Sequence, residues 1–389
     1  MEKLPKYLPN IEKADVPEPE KFEEAKAEAR KEKSRTIWII VLAFALVASL
    51  GVIGWFLFSG RADQRVHGEN LDAFLDKPTE TPETSTKLGD IDPGVVVNDA
   101  EINLTDYDSN ITITASGTHT LSGISNYSVL VNADGAVTLR LNGVTISSVE
   151  TAAIANQSTN PLTVELLEGT TNALTDGGSS VYDGALFSNG ALTVKGGGYG
   201  DSLGKLVVSG RQTDGEGIAT ANAPLTIESG KIMVTASDDG LNAGGDQAGV
   251  LTIDGGILWI KASGDGVDSN DKIVINGGNL LVIGSAAGGN GALDSDNGIF
   301  LNGGNIVALG SDMLEKPSSE SAQKFLSAEL TETVSTGSTV YIKNIDTNVI
   351  FNFKTEGDFK NLLFSSASLT AGNYEISLDG RLVGTGVVE

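Results

Sequence analysis

Between residues 217 and 296 four short stretches repeat one pattern of acids and amides. They are Gly217-Ile218-Ala219-Thr220, Asp239-Gly240-Leu241-Asn242-Ala243, Asp265-Gly266-Val267-Asp268-Ser269 and Leu293-Asp294-Ser295-Asp296. Asn242, Asp268 and Asp294 stand 26 residues apart. A period of that length is one coil of a solenoid, and stacking brings equivalent side chains to rungs about 4.8 Å apart. Ionised carboxylates that close repel unless a cation lies between them. The candidate ligands are Asp239, Asn242, Asp265, Asp268, Asn290, Asp294 and Asp296, with Asp214 a weaker earlier rung. A set of oxygen ligands alone, carboxylates mixed with amides, suits Ca²⁺. The same residue types cap β corners through Asx-turns with no metal; the like-charge argument, applied over three coils, favours calcium. The Gly217–Thr220 rung carries Ala219 where an acid would sit, which puts a site there in doubt. Asp294-Ser295-Asp296-Asn297-Gly298 has an EF-hand flavour but lacks the glutamate at position 12 and flanking helices.

Composition narrows the chemistry further. The 389 residues include no cysteine, which excludes disulfides, thiolate zinc sites and cysteine nucleophiles. The two histidines, His67 and His119, lie far from the repeats. Net charge is −25 and unevenly spread: residues 1–65 hold 11 Lys+Arg and 10 Asp+Glu, so the acidity belongs to the remainder. Such a surface repels nucleic acid and anionic lipid and suits hard cations.

The scaffold around these acids follows from the patterning. Thr36 to Phe58 is an uncharged run of 23 residues, long enough to span a bilayer, with Trp38 and Trp55 near its ends. It is too long, and too far from the N-terminus, for a cleaved signal peptide. Lys26, Arg30, Lys31, Lys33 and Arg35 precede it and only Arg61 and Arg65 closely follow, which places the N-terminus in the cytoplasm and the rest outside the cell. The expected organisation is therefore a charged cytoplasmic tail (1–35), a single transmembrane helix (36–58), an extracellular linker (59–94), a parallel β-helix (95–312) and a C-terminal flanking or capping β segment (313–389).

From about Val95 short β-branched runs alternate with Gly, Asn and Asp. Aligned by coil, one strand recurs at 162–164, 192–194, 225–227, 251–253, 273–275 and 299–301, and a second at 232–234, 258–260, 280–282 and 306–308. Between them lie Ser229-Gly230, Gly255-Gly256, Gly277-Gly278 and Gly303-Gly304, where glycine permits a positive φ. The acidic motif is expected at the corner that follows. The fold class is all-β, a parallel β-helix. The outward column of the second strand, Met233, Trp259, Leu281 and Val307, is apolar and needs a cover. The C-terminal segment is the expected cover, with strands at 339–343, 349–354, 362–364 and 374–378 and a short helix near Ser321–Leu330.

Other chemistry is weaker. Trp259 suits sugar stacking or, equally, a covered flank. Tyr182 and Tyr199, in the Gly-rich stretch with Phe187, suit a carbohydrate-facing patch or ordinary packing. A calcium-dependent lyase needs a cationic base beside the metal; Arg211, Lys231, Lys261 and Lys272 are available, with Arg211 the best placed.

Residues 116–123 (SGTHTLSG), 137–148 (VTLRLNGVTISS), 152–177, 184–198, the DG-x-[ND]-[AS] coils and 348–376 resemble a bacterial carbohydrate-binding β-helix family typified by a clostridial polygalacturonate-binding surface protein. The resemblance covers about residues 95–389. It implies a right-handed, pectate-lyase-like parallel β-helix, several bound Ca²⁺ ions at Asp239, Asp265, Asp268 and Asp294, and binding of an acidic polysaccharide without cleavage. The expected protein is a membrane-anchored extracellular carbohydrate-binding protein. A calcium-dependent lyase and a structural surface stalk or adhesin are the alternatives.

Overall fold

The structure is a computed structural model that describes residues 91–389 apart from 179–180, 212–214, 246–248, 286–288, 311–312, 314 and 379. The tail, the 36–58 run, nearly all of the linker and Asp214 lie outside the described residues. No helix among the described residues is long and apolar enough to cross a membrane.

From Val95 to Gly310 the chain winds through parallel strands that pair with the equivalent strand one coil away. Each late coil contributes three. The first ladder contains Leu225–Ile227, Leu251–Ile253, Ile273–Ile275 and Ile299–Leu301; the second contains Lys231–Ala236, Ile257–Ala262, Asn279–Ile283 and Asn305–Gly310. The glycine bends between them are the predicted ones: Gly230, Gly256, Gly278 and Gly304 have φ of 121°, 97°, 94° and 93°.

The third ladder corrects the sequence reading. Ile218–Thr220, Leu241–Ala243, Val267–Ser269 and Leu293–Ser295 form strands of a nine-stranded parallel sheet. Asn242, Asp268 and Asp294 therefore lie on a sheet face instead of a corner, with Asp239 and Asp265 in the bends that lead into their strands. Three residues suffice because the period of 2 points Leu241 and Ala243 into the core, fully buried, and leaves Asn242 outward. Aliphatics stacked from coil to coil fill one continuous core.

The open end is closed by antiparallel strands. Phe359–Ser365 pairs with Asn305–Gly310, and Phe325–Val334 pairs with it in turn. The short helix expected near Ser321–Leu330 is thus a strand; Leu326, Ala328 and Leu330 are buried in alternation, a period of 2 that helical geometry cannot produce. A four-stranded antiparallel sheet (350–354, 339–344, 372–378, 381–388) completes the flank. Its last strand was not foreseen. As expected, this flank covers the apolar column: Met233, Trp259, Leu281 and Val307 share a buried cluster with Phe351, Phe353, Phe359 and Phe364. Trp259 Nε1 donates to Glu356 Oε2 at 2.8 Å.

Because the roof is held through this large buried ring, Trp259→Ala is expected to destabilise the protein by about 3–5 kcal/mol. Urea denaturation of the full chain in detergent checks this, and a loss under about 1 kcal/mol contradicts the covering role.

Candidate metal centre

The outward column of the nine-stranded sheet can be followed rung by rung. Thr112, Leu130, Ala155, Phe187, Ala219, Asn242, Asp268 and Asp294 are successive Cα partners. The early part is apolar and buried; Leu130, Ala155, Phe187 and Ala219 pack together with Ala152, against Tyr182 and Ile91. The column then turns polar at Asn242 and acidic at Asp268 and Asp294.

A second column runs beside it, two residues before each strand. The N–H of Gly217 donates to the Asp239 carbonyl, that of Gly240 to Asp265 and that of Gly266 to Gly291, so Glu216, Asp239, Asp265 and Gly291 stack in that order. Glycine follows each acid for a steric reason. A Cβ at Gly240 would meet Ile260 Cγ2 at 2.3 Å and the Gly266 carbonyl oxygen at 2.5 Å; at Gly266 it would meet Val282 Cγ1 at 2.2 Å.

The two columns converge. Asn242 Nδ2 donates to Glu216 Oε1 at 2.7 Å and to Asp239 Oδ2 at 3.1 Å. Asp239 Oδ1 accepts from the Asp265 N–H at 2.6 Å, and Asp265 Oδ1 accepts from the Gly291 N–H. Asp239 and Asp265 each tie one oxygen to the next coil; the other oxygen of Asp239 accepts from Asn242, and that of Asp265 faces the cluster with Asp268 and Asp294. Carboxylate oxygens of Asp265, Asp268 and Asp294 lie within 4.8 Å of one another. Two unit charges at that separation repel by about 3 kcal/mol at an effective dielectric constant near 20.

The protonation behaviour reflects this crowding. Glu216 is pushed up to about 9, first by burial and then by Asp183, Asp239, Asp238 and Asp268. Burial, followed by neighbouring carboxylates, raises Asp265 and Asp268 to about 7, although the Gly291 N–H holds Asp265 back. Asp239 rises to about 6, burial outweighing its bond from the Asp265 N–H. Glu315 is also raised, mainly by burial and further by Asp294; its two oxygens accept from Ser295 N at 2.7 Å and Ser295 Oγ at 2.9 Å, which opposes the rise.

Of the residues singled out from the sequence, Asp239, Asn242, Asp265, Asp268 and Asp294 come together. Asp296 is exposed at the corner beyond the ladder, its N–H donating to the Ser269 carbonyl; Asn290 is half-buried and adjoins Gly291. Trp259 is only 7 % exposed under the roof, so its ring is no surface platform for a sugar. Tyr182 packs on Phe187, ring centroids 5.4 Å apart, and its hydroxyl accepts from Gln157. Tyr199 is 84 % exposed.

Two acids escaped the sequence reading. Glu216 precedes Gly217 as Asp239 precedes Gly240, so the acid–glycine pair is the signal for it, although the same rung carries Ala219 in the strand column. Glu315 sits in an irregular segment with no period to mark it. Arg211 is exposed, its N–H on Asp176 Oδ1 and its Nε on Ser209 Oγ.

The donor set fits one hard cation. Ca–O distances of 2.3–2.6 Å allow oxygens on a single ion to lie up to about 5 Å apart, which accommodates the three carboxylates. Asp239, Asp265, Asp268 and Asp294, with Glu315 beside the last, supply oxygen ligands and no nitrogen or sulfur.

No curated protein matches the chain. Among solved structures, a polysaccharide lyase-like protein from C. thermocellum, determined as a gadolinium derivative, aligns with 25 % identity and a TM-score of 0.41 over 50 % of this chain and 87 % of that one. The family model for carbohydrate-binding domain-containing proteins matches residues 107–361, more than half of the sequence, and the chain belongs to that family.

Proposed function

We propose that the protein is a calcium-stabilised carbohydrate-binding protein that takes an acidic, polygalacturonate-like polysaccharide without cleaving it. The observation that carries the reading is the in-register cluster of Asp265, Asp268 and Asp294 on an outward sheet face, in a chain of a carbohydrate-binding family. These acids, with Asp239, would hold Ca²⁺; the ion would cancel their mutual repulsion and pin neighbouring coils. A calcium ion on an open sheet face has coordination positions left for a uronate carboxylate, which answers the difficulty that an acidic protein repels an acidic sugar. Residues 36–58 would anchor the chain in the membrane with the β-helix outside the cell, and the charge excludes nucleic acid as a partner.

A binding role without chemistry is the reading the arrangement favours. Asp239 and Asp265 accept from backbone amides of the next coil, and Arg211 makes its hydrogen bonds to Asp176 and Ser209. Incubation of the full chain with pectate and Ca²⁺ is expected to yield no absorbance from unsaturated uronate; a signal lost in Arg211→Ala would make the protein a lyase.

Exhaustive chelation of the full chain in detergent should lower both its melting temperature and its polygalacturonate affinity, with calcium restoring both. A melting curve indifferent to EDTA sinks the calcium role. The metal-free protein should also respond to pH. Glu216, Asp239, Asp265 and Asp268 titrate above their ordinary 4.5 and 3.8, so the folded state holds more protons than the unfolded state between about pH 4 and 9. Stability without metal is therefore expected to fall as pH rises through that window, and saturating calcium to flatten the fall. A chelated protein that melts higher at pH 8 than at pH 5 contradicts the clustered-acid account.

A further inference from the structure

A positive island stands apart from the acidic ladder, at the start of the second ladder of strands. Lys205 and Lys231 are Cα partners in adjacent coils, so two ammonium-bearing side chains project from neighbouring rungs on the same outward side. Lys231 is the more enclosed, its side chain only 4 % exposed. Burying a cation is costly unless it is paired and hydrogen-bonded. Among the described residues its ion pair is with Asp201 at 3.8 Å, beyond hydrogen-bond reach, and that side chain is 89 % exposed. An ion pair with so exposed a partner contributes little, because solvent screens it. Burial and the neighbouring Lys205 both push the Lys231 ammonium down from its ordinary value, and Asp201 only partly opposes them. Two neighbouring lysines thus stand together, one of them loosely paired with Asp201, in a strongly acidic chain.

Asp201 belongs to the tight turn Gly200–Ser202, and the residue before that turn is Tyr199. The turn is braced from within and from the preceding coil. Ser202 Oγ donates its proton to Glu168 Oε1 at 2.7 Å, lies 3.0 Å from the Tyr199 carbonyl, and accepts from the Tyr199 N–H at 3.3 Å. Tyr199 is the most exposed of the protein's large hydrophobic side chains among the described residues, at 84 %. A braced turn that displays a bare aromatic ring two residues from the anion on Lys231 has the parts of a sugar subsite. The ring offers a flat apolar face with a polar tip, and the lysines offer donors for a carboxylate.

We propose that Tyr199, Lys205 and Lys231 form a second saccharide subsite, separate from the acidic ladder, that takes an anionic sugar unit through its carboxylate, with Asp201 as the placeholder the ligand displaces. The proposal rests on the reading that the protein binds acidic polysaccharide. It adds that part of this binding is direct and needs no metal. A purely structural Lys231–Asp201 pair makes the opposite prediction for Asp201, because removing its charge then strands a buried cation.

The test uses the full chain in detergent with polygalacturonate, and with neutral galactan as the control. Tyr199→Ala is expected to weaken polygalacturonate binding about fivefold and Lys231→Gln about tenfold or more. Asp201→Asn is expected to strengthen it by a few fold, up to about fivefold, by removing the competing anion. The Tyr199→Ala and Lys231→Gln losses should persist in EDTA, with whatever affinity remains there. Tyr199 is exposed, so its variant reports on binding independently of folding, and melting temperatures taken alongside identify any unfolded variant. Wild-type binding that Tyr199→Ala and Asp201→Asn leave unchanged overturns the subsite while leaving the calcium reading intact. Equal losses on galactan overturn the anionic assignment. No binding of polygalacturonate by the wild-type chain overturns the parent reading and the subsite with it.

Discussion

Everything in this molecule depends on parallel strands pairing with their equivalents one coil away. That pairing turns a distance along the sequence into a distance of one rung in space. A residue type repeated every coil becomes a continuous column, and its physical consequence is multiplied. Aliphatic columns become the core. Carboxylate columns become a concentration of like charge that no single Asp-Gly pair would create. Glycine beside each acid is forced by the same stacking, since Gly240 and Gly266 lie against both a side chain and a carbonyl of the coil that follows.

The nine-stranded sheet shows how one scaffold serves two purposes along its length. Its outward column passes from Leu130, Ala155 and Phe187 to Asn242, Asp268 and Asp294 without any break in register. The first half is closed by packing, Tyr182 lying on Phe187. The second half is polar. Ala219 marks the change: it has the small size that suits the covered half, while Glu216 in the neighbouring column begins the acidic half.

Much of this was legible because periodicity is a strong signal. The strand triplets, the glycine bends and the apolar stripe through Trp259 could all be read by aligning coils, and the stripe also announced that something must cover it. What failed to be read lacked a period or lay across two of them. Asn242, Asp268 and Asp294 were placed at a corner because each strand there has only three residues, too few for alternation to stand out. Glu216 was missed because the rung was indexed on Ala219. Glu315 and the Phe325–Val334 strand belong to a segment that follows no coil, where local composition at Ser321–Leu330 suggested helix and pairing with Phe359–Ser365 decided otherwise. Sequence alone allows Trp259 to be a sugar platform or a covered ring, because the choice depends on which C-terminal residues lie above it.

The roof over Met233, Trp259, Leu281 and Val307 has a mechanical consequence. In a bare solenoid each coil grips only its neighbours, so a pull on the last coil peels the stack one rung at a time. Here the C-terminal strands lie across four successive rungs of the second ladder. A load entering through the chain's end is spread over all four as shear and not concentrated on the outermost one. The flank thus acts as a splint, and the stretch it braces includes every rung of the acidic ladder from Asn242 to Asp294.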